Sequence, residues 1–174
     1  GRVRDLTAGE MLGQVTAVNR MLAPEGRRVH NIVLMGSGEP LDNYENTVKF
    51  LHLVNSPERT NISLRNISLS TCGLVPQMRA FAEEGLPVTL SISLHAPNDE
   101  VRKQLLPVAN AYAIEDVLSA AREYVEKTGR RVIFEYALVK GVNSELRHAD
   151  ELATRLRGLR CHVNLIPLNA VRER

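Results

Sequence analysis

Cysteine is scarce. Cys72 and Cys161 are the only two in 174 residues and neither belongs to a C-x-x-C pair, which excludes a disulfide framework and a self-sufficient zinc site. Nothing therefore points to secretion, and a cytoplasmic location is expected. No run of about 18 apolar residues is present, so no segment reads as a membrane span. The opening Gly1-Arg2-Val3-Arg4-Asp5 lacks the apolar core of a signal peptide. It also lacks an initiator Met, which suggests a chain cut from something longer. Excess charge of one sign is missing too: 22 Lys plus Arg against 20 Asp plus Glu leaves +2, which neither argues for nor excludes a nucleic-acid partner. Only Lys49, Lys103, Lys127 and Lys140 are lysine, an arginine bias that suits phosphate binding and equally reflects genome composition. What the chain does have is 44% apolar residues in 19.4 kDa, enough for one ordinary core, and this excludes intrinsic disorder.

The apolar pattern changes period repeatedly. Thr7-Ala8-Gly9-Glu10 reads as a capping box ahead of Met11, Val15, Val18 and Leu22 at helical spacing, so a helix is expected over 8–22, ended by Pro24 and Gly26. A short β-branched run over 29–35 follows, then Gly36-Ser37-Gly38-Glu39-Pro40 and a helical pattern from about Asn43. The unit recurs. Strands are expected over 66–70, 88–94, 131–139 and 161–166, alternating with helices over 76–84, 114–128 and 145–157 and with a short helix that Asn98 can cap. Such alternation implies parallel strands joined by right-handed crossovers, hence one α/β domain over residues 1–174. Polar residues gather at all five strand ends: Gly36 to Glu39, Ser70 to Gly73, Ser93 to His95, Lys140 to Asn143, and Pro167 to Asn169. Five equipped ends fit the rim of a partial parallel (β/α) barrel better than a single switch-point crevice.

The sharpest local signal is Gly36-Ser37-Gly38-Glu39-Pro40. Two glycines let backbone amides approach a ligand while Glu39 supplies a carboxylate, a combination that suits an amino-acid zwitterion. The same spacing also fits a tight turn with a surface Glu, and Leu41 stands where a dinucleotide fingerprint needs its third glycine. Ser70, Thr71, Ser93 and His95 could bind hydroxyls or a carboxylate, or merely satisfy backbone groups. His95 could act as a base or metal ligand, yet no second His lies at ligand spacing, which favours a hydrogen-bonded structural role. Cys72 and Cys161 read as buried structural thiols.

Four stretches in register carry a resemblance: Met35-Gly36-Ser37-Gly38-Glu39-Pro40-Leu41-Asp42-Asn43, Leu69-Ser70-Thr71-Cys72-Gly73, Ile92-Ser93-Leu94-His95-Ala96-Pro97-Asn98-Asp99 and Val163-Asn164-Leu165-Ile166-Pro167-Leu168-Asn169. Together they resemble the radical S-adenosylmethionine adenine methyltransferases of the RlmN/Cfr family. The resemblance implies a partial barrel of about five strands in this chain, S-adenosylmethionine and a [4Fe–4S] cluster as cofactors, and an electron donor for the cluster. It further implies methylation of carbon 2 of adenine in large-subunit (23S) ribosomal RNA and transfer RNA, with carbon 8 as the related choice. By motif, Gly38 and Glu39 would hold the methionine moiety, Ser70 and the step Ser93-Leu94-His95 would contact the cofactor, and Asn169 would complete its nucleoside pocket.

The family's cluster-binding C-x-x-x-C-x-x-C loop would lie before Gly1 and its methyl-carrying Cys beyond Arg174. Neither Cys72 nor Cys161 matches those roles, so no catalytic or metal-binding residue is expected within the chain, and the chain alone is expected to be inactive. The family's amino-terminal RNA-binding extension is likewise expected elsewhere. Competing readings are another (β/α) barrel enzyme for a phosphorylated small molecule, for which Gly141-Val142-Asn143 is the one candidate loop, and a non-catalytic nucleotide-binding module. Without its first barrel strand, the run over 29–35 is expected to expose an edge prone to self-association.

Overall fold

In a computed structural model, residues 3–168 are described. Helix α1 (Ala8–Leu22) starts at the foreseen capping box: Thr7 Oγ1 accepts from Glu10 N at 3.2 Å and Glu10 Oε2 accepts from Thr7 N at 2.8 Å. Then come β1 (Ile32–Leu34), α2 (Tyr44–Asn55), β2 (Ile67–Thr71), α3 (Val75–Glu83), β3 (Thr89–Ser93), α4 (Asp99–Leu105), α5 (Ile114–Thr128), β4 (Val132–Leu138), α6 (Leu146–Arg155) and β5 (Cys161–Pro167). Asn98 caps α4 by accepting from Val101 N at 3.0 Å. Gly129, at φ +67°, ends α5 in the left-handed turn that glycine adopts without a Cβ clash.

The five strands of the described residues are all parallel and lie in the order β1-β2-β3-β4-β5. Each new strand joins the same edge, so among the described residues the order never reverses and there is no switch point. Sequential winding of this kind is barrel-like rather than doubly wound, and it puts all crossover helices on one face. Ile67, Leu69, Leu90, Ile92, Val132, Phe134 and Tyr136 occupy that face and form the core with Val75, Met78 and Phe81 of α3 and Val117, Leu118, Ala121 and Tyr124 of α5. Tyr124 is wholly buried; its hydroxyl donates to Leu86 O and Val88 O, and its ring stacks on Phe81 at 5.8 Å.

The first strand is shorter than the apolar run suggests, three residues rather than seven, because it pairs only with β2 from Ile32 to Leu34. Val29 instead donates its N–H to Asn19 Oδ1 at 2.7 Å, which ties the incoming chain to α1. Among the described residues the other edge of β1 is unpaired, and Val33 and Met35 are 64% and 46% exposed. No helix among the described residues is long and apolar enough to cross a membrane.

Candidate functional site at the carboxyl ends of the strands

The sheet has two chemically different faces. Opposite the core, register pairs join Val33 to Ser68, Ser70 to Ser91, Ser93 to Glu135, and Glu135 to Asn164. Successive side chains alternate faces, so Ser68, Ser70, Ser91, Ser93, Glu135 and Asn164 line the side of the sheet that a closing barrel would enclose; Asn164 there is exposed. Serine leaves room there. Glu135 Oε2 accepts from Asn164 Nδ2 at 2.7 Å. Ser91 is 1% exposed, and its Oγ has no hydrogen-bond partner among the described residues, at mid-sheet beside Ser70.

At the carboxyl end of β1, Gly36 and Gly38 have φ of +107° and +80°, with no heavy atom of the described residues within 4 Å of a Cβ added at either. Glycine is required by the backbone, and the loop stands open. It borders a groove of about 990 Å³ that runs along α1 and the free side of β1. Glu39 is half-buried and joins two strand ends: Oε1 accepts from Leu41 N at 3.0 Å and Oε2 from Cys72 N at 2.7 Å. The alternative of a turn with a surface Glu therefore fails, since the carboxylate binds the loop after β2. A carboxylate has about four acceptor positions, so two amides leave capacity for a ligand's ammonium group.

The loop after β2 is held from its other side by Arg102, a wholly buried arginine on α4. Its Nη2 donates to Cys72 O at 2.9 Å and its Nη1 to Tyr112 O at 3.1 Å. Gly73, at φ +99°, lies so close that an added Cβ would meet Arg102 Nη2 at 3.0 Å. Burial, and then the neighbouring Glu39 carboxylate, push the Cys72 thiol up to about 12, so it stays protonated and unreactive. Burial also raises the Cys161 thiol. The two cysteines sit at opposite ends of strands separated by β3 and β4. Among the described residues no three His, Cys, Asp or Glu side chains come together as a metal site. The chain's own described residues therefore do not fit an iron–sulfur cluster.

Of the residues singled out in the sequence, Gly38 and Glu39 lie in the loop after β1, and Ser70 and Ser93 lie near the ends of β2 and β3 on the enclosed face. Leu94 is wholly buried in the core, and its N–H donates to Glu135 O. His95, beyond β3, accepts at Nδ1 from Ala137 N, and burial lowers its basicity, as befits a hydrogen-bonded neutral imidazole. Asn169 lies outside the described residues. Gly141-Val142-Asn143 is not a phosphate loop: Asn143 is 1% exposed, with its amide spent on backbone groups. Sequence reading gave no role to Ser91, Glu135 or Asn164, and read Asn143 only as part of a candidate phosphate loop. Of these, Ser91 was visible in principle, because Leu90-Ser91-Ile92-Ser93, like Ile67-Ser68-Leu69-Ser70, alternates with the period of a two-faced strand.

An all-parallel, sequentially wound sheet with an open glycine loop and a polar enclosed face is the architecture of a radical SAM domain. The model of the Radical SAM superfamily matches residues 14–153, and the chain belongs to that superfamily. The similarity continues to RNA methyltransferases. The chain is 55% identical over its whole length to a Lachnoclostridium phytofermentans protein named "Probable dual-specificity RNA methyltransferase RlmN", covering 48% of it. It is 56% identical to a protein of the same name from Symbiobacterium thermophilum, covering 47%. Among solved structures, a radical SAM methyltransferase from Sphaerobacter thermophilus superposes with a TM-score of 0.93 at 49% identity, over 100% of this chain and 51% of that one. Streptococcus suis SuiB bound to S-adenosylmethionine shares the fold, with a TM-score of 0.67 at 12% identity over 99% of this chain and 36% of SuiB. The chain spans about half the length of the curated relatives it matches.

Proposed function

We propose that this chain supplies most of the S-adenosylmethionine pocket of a longer radical SAM RNA methyltransferase, acting on carbon 2 of adenine in large-subunit ribosomal RNA and transfer RNA in the cytoplasm. The observation that carries the reading is the rim itself: the Gly36–Gly38 loop, the Glu39 carboxylate, and the serine-lined face meet where parallel α/β folds bind ligands. S-adenosylmethionine fits these groups. Its ammonium can bind the spare lone pairs of Glu39, its carboxylate the amides of the glycine loop, and its ribose hydroxyls Ser70, Ser93 and the step through Leu94 to His95, with Asn169 closing the nucleoside side. The orphaned Ser91 Oγ is a further group that a bound molecule or its water would satisfy.

In this role the chain binds and orients. Glu39 is already fixed by two amides, so little ordering remains to be done when a ligand arrives. The enclosed face holds the reacting end of the cofactor away from bulk water. Bound S-adenosylmethionine supplies the methyl group and the radical precursor. The cluster and the methyl-carrying cysteine are assigned to other parts of the longer protein, and the electron donor is a separate partner.

The decisive experiment assays the complete, cluster-loaded protein anaerobically on ribosomal and transfer RNA fragments, with mass spectrometry of the adenines. Methylation at carbon 2 that is lost in Glu39→Gln is expected. Modification at carbon 8 alone, or none with either RNA, would refute the stated specificity. Titration calorimetry of S-adenosylmethionine against Glu39→Gln tests the pocket separately, with a loss of about 1.5–3 kcal/mol expected for a charge-assisted hydrogen bond.

A further inference from the structure

His95 leaves β3 with φ +57°, a left-handed conformation that only Asn61 shares among the described non-glycine residues. Residues other than glycine adopt it uncommonly, histidine more often than most, and it persists where the surroundings hold it. Here they do. The N–H groups of Leu94 and His95 both donate to Glu135 O at 3.1 Å. Beyond β4, the side chain of Asn143 reaches back across the gap: Nδ2 donates to His95 O at 2.7 Å and to Ala137 O at 2.7 Å, while Oδ1 accepts from Val139 N at 2.6 Å. Tyr136 Oη fixes Asn143 in turn by donating to its carbonyl at 2.8 Å. Both amide hydrogens of Asn143 meet carbonyls and its oxygen meets an N–H, so only one orientation of the amide satisfies all three neighbours.

The last bond decides the chemistry of the imidazole. Ala137 N donates to His95 Nδ1 at 3.0 Å, so Nδ1 carries no proton, and the neutral ring must carry its proton on Nε2. Protonating Nδ1 would break this bond and set two donors against each other. Burial and Arg102 both oppose a positive ring, while Glu135 favours one, and burial is the largest of the three. Nε2 makes no hydrogen bond to any described residue, and His95 is only half-buried, so the proton on Nε2 remains available.

We propose that Asn143 is a positioning residue: by clamping the ends of β3 and β4 together it holds His95 as one neutral tautomer whose Nε2–H is a fixed hydrogen-bond donor at the ligand rim. The group it serves is an acceptor, a ribose hydroxyl or ring nitrogen of the bound nucleoside. That last step rests on the function proposed above, whereas the clamp and the tautomer do not.

The test is nuclear magnetic resonance of the 174-residue chain with its histidine rings labelled with nitrogen-15, between pH 5 and 8. At pH 7 wild type is expected to show unprotonated Nδ1 and protonated Nε2 for His95, with a titration midpoint below that of ordinary histidine. A His95 ring protonated on Nδ1, or exchanging between tautomers, would overturn the proposal with no variant needed. In Asn143→Ala the second tautomer should appear and the midpoint should rise. In Asn143→Ser, which keeps one donor, the change should be smaller; this variant also serves if the alanine form does not fold. A variant that melts at lower temperature with an unchanged His95 ring would make Asn143 structural only and refute its positioning role. Adding S-adenosylmethionine to wild type should shift the Nε2 resonance. A fixed tautomer without that shift would refute the cofactor reading at His95 and leave the clamp standing.

Discussion

Replacing Glu39 with glutamine separates the carboxylate's internal task from its proposed ligand. In the free protein Glu39 accepts from Leu41 N at 3.0 Å and Cys72 N at 2.7 Å, one bond on each oxygen. Glutamine keeps a single oxygen; its NH₂ then faces one of the two N–H groups, so one bond is lost and two donors confront each other. A hydrogen bond to a charged group contributes about 1.5–3 kcal/mol, and half exposure lets water compensate, so about 1.5 kcal/mol is the expected loss. At about 2.1 cal/mol/K of unfolding entropy per residue, 174 residues give about 0.37 kcal/mol/K. Glu39→Gln should therefore lower Tm by about 4 °C, and Glu39→Ala, which loses both bonds, by about 8 °C. Differential scanning calorimetry without any cofactor measures this, and amide exchange at Cys72 should accelerate in parallel. If both variants melted within about 1 °C of wild type with Cys72 still protected, the bridge between the two strand ends would not exist in solution. Reduced cofactor affinity in Glu39→Gln would then have to be a direct ligand effect.

Three other outcomes are expected. Gly73→Ala combines a φ of +99° with a Cβ only 3.0 Å from Arg102 Nη2 and 3.3 Å from Val117 Cγ2, so a loss of about 2–4 kcal/mol should appear in urea unfolding. Glu10 is held down to about 2, first by the Arg4 side chain and then by the Thr7 backbone; a depressed carboxylate stabilises above its unfolded value near 4.5, so the α1 cap should weaken only as pH falls from there towards 2. A carboxyl titration by nuclear magnetic resonance should show that low midpoint, and Arg4→Gln should raise it. Finally, the free side of β1, with Val33 and Met35 exposed, should drive association of the isolated chain as concentration rises in sedimentation runs; a strict monomer with strong protection across 29–35 would mean the edge is already covered.

Local signals fixed the elements and the loop of interest without help from tertiary structure. The Thr7–Glu10 capping box, Asn98 before α4, and Gly129 after α5 act within one helical turn, which is why those boundaries were readable to the residue. The four motifs were equally local, and they carried the family. The length of β1 was not readable, because a strand ends where its neighbour stops pairing, and Val29 turns instead to Asn19. Nor was barrel-like winding certain from alternation alone; strand order decided it. The site needed the fold most. Glu39 meets Cys72 across 33 positions of sequence, Glu135 meets Asn164 across 29, and Asn143 meets His95 across 48. Such partners leave no spacing signature, since parallel strands become neighbours only after a whole crossover helix has been laid against the sheet.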